Sequence, residues 1–271
     1  MNRSIRTRGV IAATAVACLT AGALSACSSG GGAVLVGTDA SVPPLEYQSP
    51  TGQILGFEPD VIAAAAAVLG LKVQFVNGGF PSLIPGLQNG RYDMIASDMG
   101  VHPPREKLVD MVHDFMGGNS VVVTKDSPLQ INGLDGLCGV SVGAQTGSTY
   151  LADLTTQSGK CTAAGKKPVD IHSFSDLNAE HLALGNGRIQ ALMTDHTIAN
   201  YATNQLHENV KVALTYYSNP CAISVAKDSG LAQPLNAAIQ YLIDNGQYKQ
   251  LLAKWQMSDQ GIPSAVVNGI Q

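Results

Sequence analysis

The succession of elements between residues 33 and 105 leaves this chain few architectures. An apolar run over 33–37 reads as a strand and stops in Thr38-Asp39-Ala40-Ser41. After a loop marked by Pro43, Pro44 and Gly52, Gly56-Phe57-Glu58-Pro59-Asp60 opens a helix. Its first turn is acidic, proline is tolerated there, and Gly70 ends it. Residues 72–76 alternate as a strand does, Phe80-Pro81-Ser82 leads into a short helix ending at Gly90, and 94–96 is a third apolar strand. Strand–helix–strand–helix–strand is the order that builds a parallel sheet with covered faces. Right-handed crossovers place Asp39, Phe80 and the loop 97–105 on one edge, where the carboxyl ends of strands gather ligands.

That loop reads Ser97-Asp98-Met99-Gly100-Val101-His102-Pro103-Pro104-Arg105. Gly100 permits close backbone approach and the two prolines stiffen the exit. The Arg105 guanidinium can pair a carboxylate through two hydrogen bonds, and the strand-end carbonyls can accept from an ammonium. A small zwitterion suits such an edge; a surface arginine after a proline turn is the equal alternative from these residues alone.

Residues 118–125 form a new strand with no helix before it, which reads as a crossing into a second lobe. A strand over 139–142 ends in Gly143-Ala144-Gln145-Thr146-Gly147-Ser148-Thr149, and a helix over 150–156 follows. Ser148 or Thr149 can cap it, and the free amides of a helix start attract an anion, although a plain N-cap explains the same residues. Residues 169–172 are a strand, and Ser175 caps a helix with Leu177, Leu182 and Leu184 on its apolar face. A buried strand over 189–193 delivers Thr194-Asp195, an acid that can meet an ammonium or cap the helical stretch 197–203. Residues 210–214 read as an edge strand and 222–226 as the return crossing. The C-terminal part is helical, with Leu235, Ala238, Ile239, Leu242 and Ile243 on one face. The expected fold is α/β with two lobes, each a mostly parallel sheet flanked by helices, joined by a two-strand hinge. Lobe 1 spans 33–117 plus 227–271, and lobe 2 spans 118–226.

The first 26 residues are outside that fold. Arg3, Arg6 and Arg8 precede an apolar run over 10–24 that is too short to span a bilayer as a mature helix, and Leu24-Ser25-Ala26-Cys27 resembles a bacterial lipobox. The expectation is a lipoprotein signal peptide over 1–26 and diacylglycerol on Cys27. Residues 27–32 then tether the body to the outer face of the cytoplasmic membrane, because two or three acyl chains hold where one is marginal. Removing 1–26 takes three of the 16 basic residues and none of the 20 acids, leaving a formal charge of −7. An acidic body without a basic stripe is a poor nucleic-acid binder. Of the remaining cysteines, Cys138 and Cys161 flank one strand–turn–helix unit and are paired here, a link of roughly 3 kcal/mol in the chain-entropy treatment. Cys138–Cys221 and Cys161–Cys221 remain open. No spacing indicates a metal or cofactor.

The ordered set Gly37-Thr38-Asp39-Ala40, Pro43-Pro44-Leu45-Glu46-Tyr47, Gly56-Phe57-Glu58, Leu83-Ile84-Pro85, Arg91-Tyr92-Asp93, Pro103-Pro104-Arg105, Gly147-Ser148-Thr149 and Gly246-Gln247-Tyr248 resembles bacterial family 3 solute-binding proteins. These are the amino-acid receptors of ABC importers. The resemblance covers nearly all of 33–260. It implies two lobes that close on an amino acid, handed on to a membrane permease by a monomeric, non-enzymatic receptor. By position, Arg105 and the Ser148/Thr149 helix start hold the α-carboxylate, Asp195 and the Asp98 carbonyl hold the α-ammonium, Asp39 faces the ligand side chain, and Phe80 is a wall. Val42 stands where the family usually has an aromatic, and Gly100 where it has a hydroxyl. Asp98 adds a carboxylate or points outward. Asp39 and Asp98 tilt the ligand towards polar or basic amino acids.

Two other readings stay open: a cyclohexadienyl or arogenate dehydratase-like enzyme on the same fold, and a ligand-sensing lipoprotein. An enzyme needs an acid or base beside the ligand. His102 is the one histidine in the pocket segments, and nothing pairs a histidine with a serine or cysteine nucleophile.

Overall fold

The computed structural model describes residues 32–217 and 219–269. The signal peptide expected over 1–26 and the acylation expected at Cys27 lie outside the described residues. The first lobe starts with β1 (Val34–Thr38), then a small antiparallel flap of β2 (Ser41–Val42), β3 (Glu46–Gln48) and β4 (Ile54–Leu55). Gly56 joins flap to helix at φ 145°, where an added Cβ would lie 2.0 Å from the Leu45 carbonyl oxygen. α1 (Phe57–Leu69), β5 (Val73–Asn77), α2 (Leu83–Gln88) and β6 (Met94–Ile95) complete the unit, and β5 and β6 flank β1 in parallel.

After α3 (Pro103–Glu106) comes an element the sequence reading missed, β7 (Val109–Met116). Its pattern is hidden because Asp110, His113 and Asp114 interrupt the apolar residues, yet His113 and Asp114 are fully buried. β8 (Asn119–Thr124) then enters the second sheet. β9 (Ser141–Gln145), α4 (Thr149–Ala163), β10 (Asp170–Phe174), α5 (Leu177–Gly185), β11 (Ala191–Asp195) and α6 (His196–Asn204) repeat the plan of the first lobe. β10 and β11 flank β9 in parallel. Asp176, not Ser175, caps α5 by accepting from the Ala179 amide at 2.9 Å, and Leu182 points to solvent. β12 (Val210–Tyr217) closes the edge against β8.

The return crossing is corrected. β13 (Pro220–Ala226) lies inside the first sheet, antiparallel between β6 and β7, so the second lobe ends before Pro220 and not at residue 226. The apolar run Cys221, Ala222, Ile223 and Val225 needs cover on both faces, which only a central strand provides. α7 (Ala232–Asp244) and α8 (Gln247–Lys254) pack against α1 and finish the first lobe's core. Among the described residues, the two main sheets have the orders β5-β1-β6-β13-β7 and β10-β9-β11-β8-β12. Each has two parallel and two antiparallel junctions. In both, the chain leaves a central strand first to one side and then to the other. That reversal opens a crevice at the carboxyl ends. Cys138 and Cys161 are joined, and Cys221 is free and buried, which removes the two alternative pairings.

Candidate functional site

The two crevices face one another across a closed cleft. Between them lies a cavity of ≈ 20 Å³, space for about one water. Val42, Phe80, Asp98, Gly100 and Arg105 line it from the first lobe; Ser148, Thr149 and Asp195 line it from the second. Eight of the nine residues singled out from sequence therefore meet at one cavity, with Arg105 and Asp195 contributed by opposite lobes.

Arg105 follows from its loop. The two prolines start α3 with fixed backbone angles, and the side chain folds back under the loop. It donates from Nη1 to the Gly100 carbonyl at 2.7 Å and from Nη2 across the cleft to the Gly147 carbonyl at 3.0 Å. Its Cζ stands 5.5 Å from the centroid of Phe80, a cation–π contact in a desolvated setting. Opposite, Gly147 takes φ 83° and Ser148 caps α4, its Oγ accepting from the Leu151 amide at 3.2 Å. The amides of this helix start face the cavity that holds the guanidinium, so two anion-seeking groups converge.

Asp195 is both cap and lining residue. Its Oδ1 accepts from the Thr197 amide at 2.6 Å, and Oδ2 accepts from the Gly118 amide at 2.9 Å at the crossing between lobes. Asp98 points inward: it adopts φ 44°, accepts from the Cys221 thiol at 3.1 Å and from the Tyr150 hydroxyl at 3.3 Å. Burial, then repulsion from Asp195, pushes the Asp98 carboxyl well above the usual carboxylate range, and burial likewise raises the Cys221 thiol. The ligating atoms of Asp98, Asp195 and Cys221 lie within 4.8 Å of one another. Metal ligands must be deprotonated, and the raised Asp98 and Cys221 both disfavour that, so the trio is a poor metal chelate.

Asp39 is placed differently from expectation. It is buried, but its carboxylate is already taken by Ser41 Oγ (2.8 Å), the Phe80 amide (3.2 Å) and, from the other lobe, Gln145 Nε2 (2.8 Å). It does not line the cavity; Gln145 does. Beneath this layer the Asp98 amide donates to Glu58 at 2.7 Å. Burial, then repulsion from Glu58, raises the buried Glu46 and Asp114 carboxyls well above their ordinary values.

Sequence reasoning missed Gln145, Tyr150, Leu177, Ile198 and Asn219. Gln145 ends β9 and was within reach of the strand-end argument that found Asp39. Asn219 carried no local signal: its amide lies 3.2 Å from where a Cβ on Gly100 would sit, filling the space a larger residue there would need. His102 is half-buried and does not line the cavity.

Residues 34–258 match the model of the bacterial extracellular solute-binding proteins, family 3. The chain is 28% identical to the arginine-binding protein ArgT of Corynebacterium glutamicum over 88% of its length and 78% of that protein. It is 30% identical to the arginine-binding extracellular protein ArtP of Bacillus subtilis, covering 88% of this chain and 94% of that one. A solved ancestral arginine-binding protein bound to arginine superposes with a TM-score of 0.75 at 32% identity, covering 83% of this chain and 98% of the other.

Proposed function

The chain belongs to the bacterial extracellular solute-binding proteins of family 3, and on that footing we propose that it is the receptor of an ABC importer for a cationic or polar amino acid, arginine first. The observation that carries this reading is the convergence of Arg105 and Asp195 from opposite lobes on one cavity. The Arg105 guanidinium and the α4 start take the α-carboxylate; Asp195, with the Asp98 carbonyl, takes the α-ammonium; Phe80 is a wall. Arg105 presently donates to backbone carbonyls, bonds that a carboxylate can replace with stronger charge-assisted ones. The lobes, 33–117 with 220–269 and 119–217, open and close about the two crossings as a hinged clamp. The receptor works as a monomer, anchored through Cys27 to the outer face of the cytoplasmic membrane, and delivers its ligand to the permease subunits. The arginine-binding relatives and the acid-lined cleft support this choice of ligand.

The test is titration calorimetry of the purified body with L-arginine. Micromolar or tighter affinity, about −8 kcal/mol, is expected. Arg105→Ala loses at least about 100-fold, since it removes a paired, buried charge. Circular dichroism verifies that the variant is folded. Undiminished affinity in a folded Arg105→Ala would refute the assignment.

A further inference from the structure

We propose that the cleft continues into a second chamber in which Glu208, held in place by His181, receives the distal cation of the ligand. The proposal rests on the amino-acid reading above. The inner cavity is small, ≈ 20 Å³, whereas a chamber of ≈ 120 Å³ lies next to it. Leu177 and Ile198 line both. On β2 the same division is visible, with Val42 on the inner cavity and Ser41 and Pro43 on the outer one. The partition is thus three aliphatic side chains, from β2, α5 and α6. They make no hydrogen bonds, so a ligand chain passing between them displaces only packing.

The length fits. Asp195 caps α6, and Ile198, Tyr201 and Ala202 follow along that helix, the last two lining the outer chamber. At a rise of 1.5 Å per residue the outer chamber lies about 10 Å along α6 from Asp195. Five or six bonds of about 1.5 Å in zigzag carry a terminal nitrogen roughly 6–8 Å from the α-carbon, and a hydrogen bond adds about 3 Å. A ligand held by its α-ammonium at Asp195 therefore reaches the outer chamber with a side chain as long as that of lysine or arginine.

The chemistry at the far end suits a donor. His181 Nδ1 lies 3.2 Å from Glu208 Oε2, and His181 Nε2 is buried with no partner. A carboxylate accepts more than one donor, so a guanidinium or ammonium in the chamber can join His181 Nδ1 on the part-exposed Glu208 carboxylate. Asp39, the acid that position in the family assigns to the side chain, is occupied by three donors and lies outside the cavity.

The experiment compares L-arginine with its neutral isostere L-citrulline by calorimetry. The wild type binds arginine at least about tenfold more tightly. In Glu208→Gln, which keeps an acceptor for His181, the ratio falls below about threefold; in Asp39→Asn it stays above tenfold. A wild-type ratio near one, with both ligands bound, overturns the second chamber and leaves the amino-acid receptor standing. A ratio that survives Glu208→Gln and collapses in Asp39→Asn also overturns it. Failure of the wild type to bind any amino acid overturns the receptor reading itself.

Discussion

Removal of the Cys138–Cys161 link tests the second lobe directly, because the loop it closes contains β9 and most of α4, the elements that carry Gln145, Ser148 and Thr149. The sequence separation is 23. Loop-closure entropy for a ring of that size gives about 3.4 kcal/mol at 25 °C. For a body of this size each kcal/mol moves Tm by about 2–4 °C, so losing the link lowers Tm by about 7–14 °C. Packing at the sulfurs is a competing contribution, since Cys161 is buried and Gln157 Nε2 lies 3.5 Å from its Sγ. A double-mutant cycle separates the two. Cys138→Ala, Cys161→Ala and the double variant, melted under oxidising conditions, are expected to lose similar amounts, because either single change already breaks the ring. The coupling energy is then about 3.4 kcal/mol. Single effects that sum to that of the double variant would mean that the sulfurs act independently, and the cross-link argument fails.

Two further predictions concern the site and its support. Burial and Asp195 hold Asp98 above its ordinary range, and a bound cation beside it favours the ionised form, so binding expels a proton. Affinity for L-arginine is expected to rise with pH from the ordinary carboxylate range up to the raised value, by at most about tenfold per pH unit, and then to level off. Asp98→Asn flattens the profile; a wild-type affinity constant from about pH 5 to about pH 8 would contradict the account. Gly56→Ala places a methyl 2.0 Å from the Leu45 carbonyl oxygen at a φ of 145° and is expected to cost at least about 3 kcal/mol in urea unfolding, a loss under about 1 kcal/mol being incompatible with this geometry.

Much of the site was legible because strand ends are local events. Phe80, Arg105, Ser148 and Asp195 each follow a short apolar run or open a helix, and the crossover rule alone brings such positions to one rim. The short flap strands β2, β3 and β4 were read as loop, and the long strands missed or misplaced, β7 and β13, are ones whose burial is two-sided or whose polar residues are hidden, so no alternation marks them. Leu177 and Ile198 read as ordinary core residues in a helix pattern. Nothing in their own segments says that the lobe across the cleft supplies the other wall.

By itself the sequence determined the two-lobe α/β plan and the opposed charges at the carboxyl ends of its strands, because periodicity, caps and strand ends are encoded within a few residues. It also favoured the Cys138–Cys161 pairing, since the two thiols flank one strand and one helix, but the two pairings with Cys221 were removed only by the structure. Only the tertiary structure decided that Asp39 is engaged by Gln145, that Asp98 turns inward to Cys221, and that the cleft adjoins the chamber of His181 and Glu208. Those contacts join residues 106, 123 and 27 positions apart. The first pairing depends on how the two lobes meet and the other two on how distant elements pack within one lobe, and no local pattern in either partner records them.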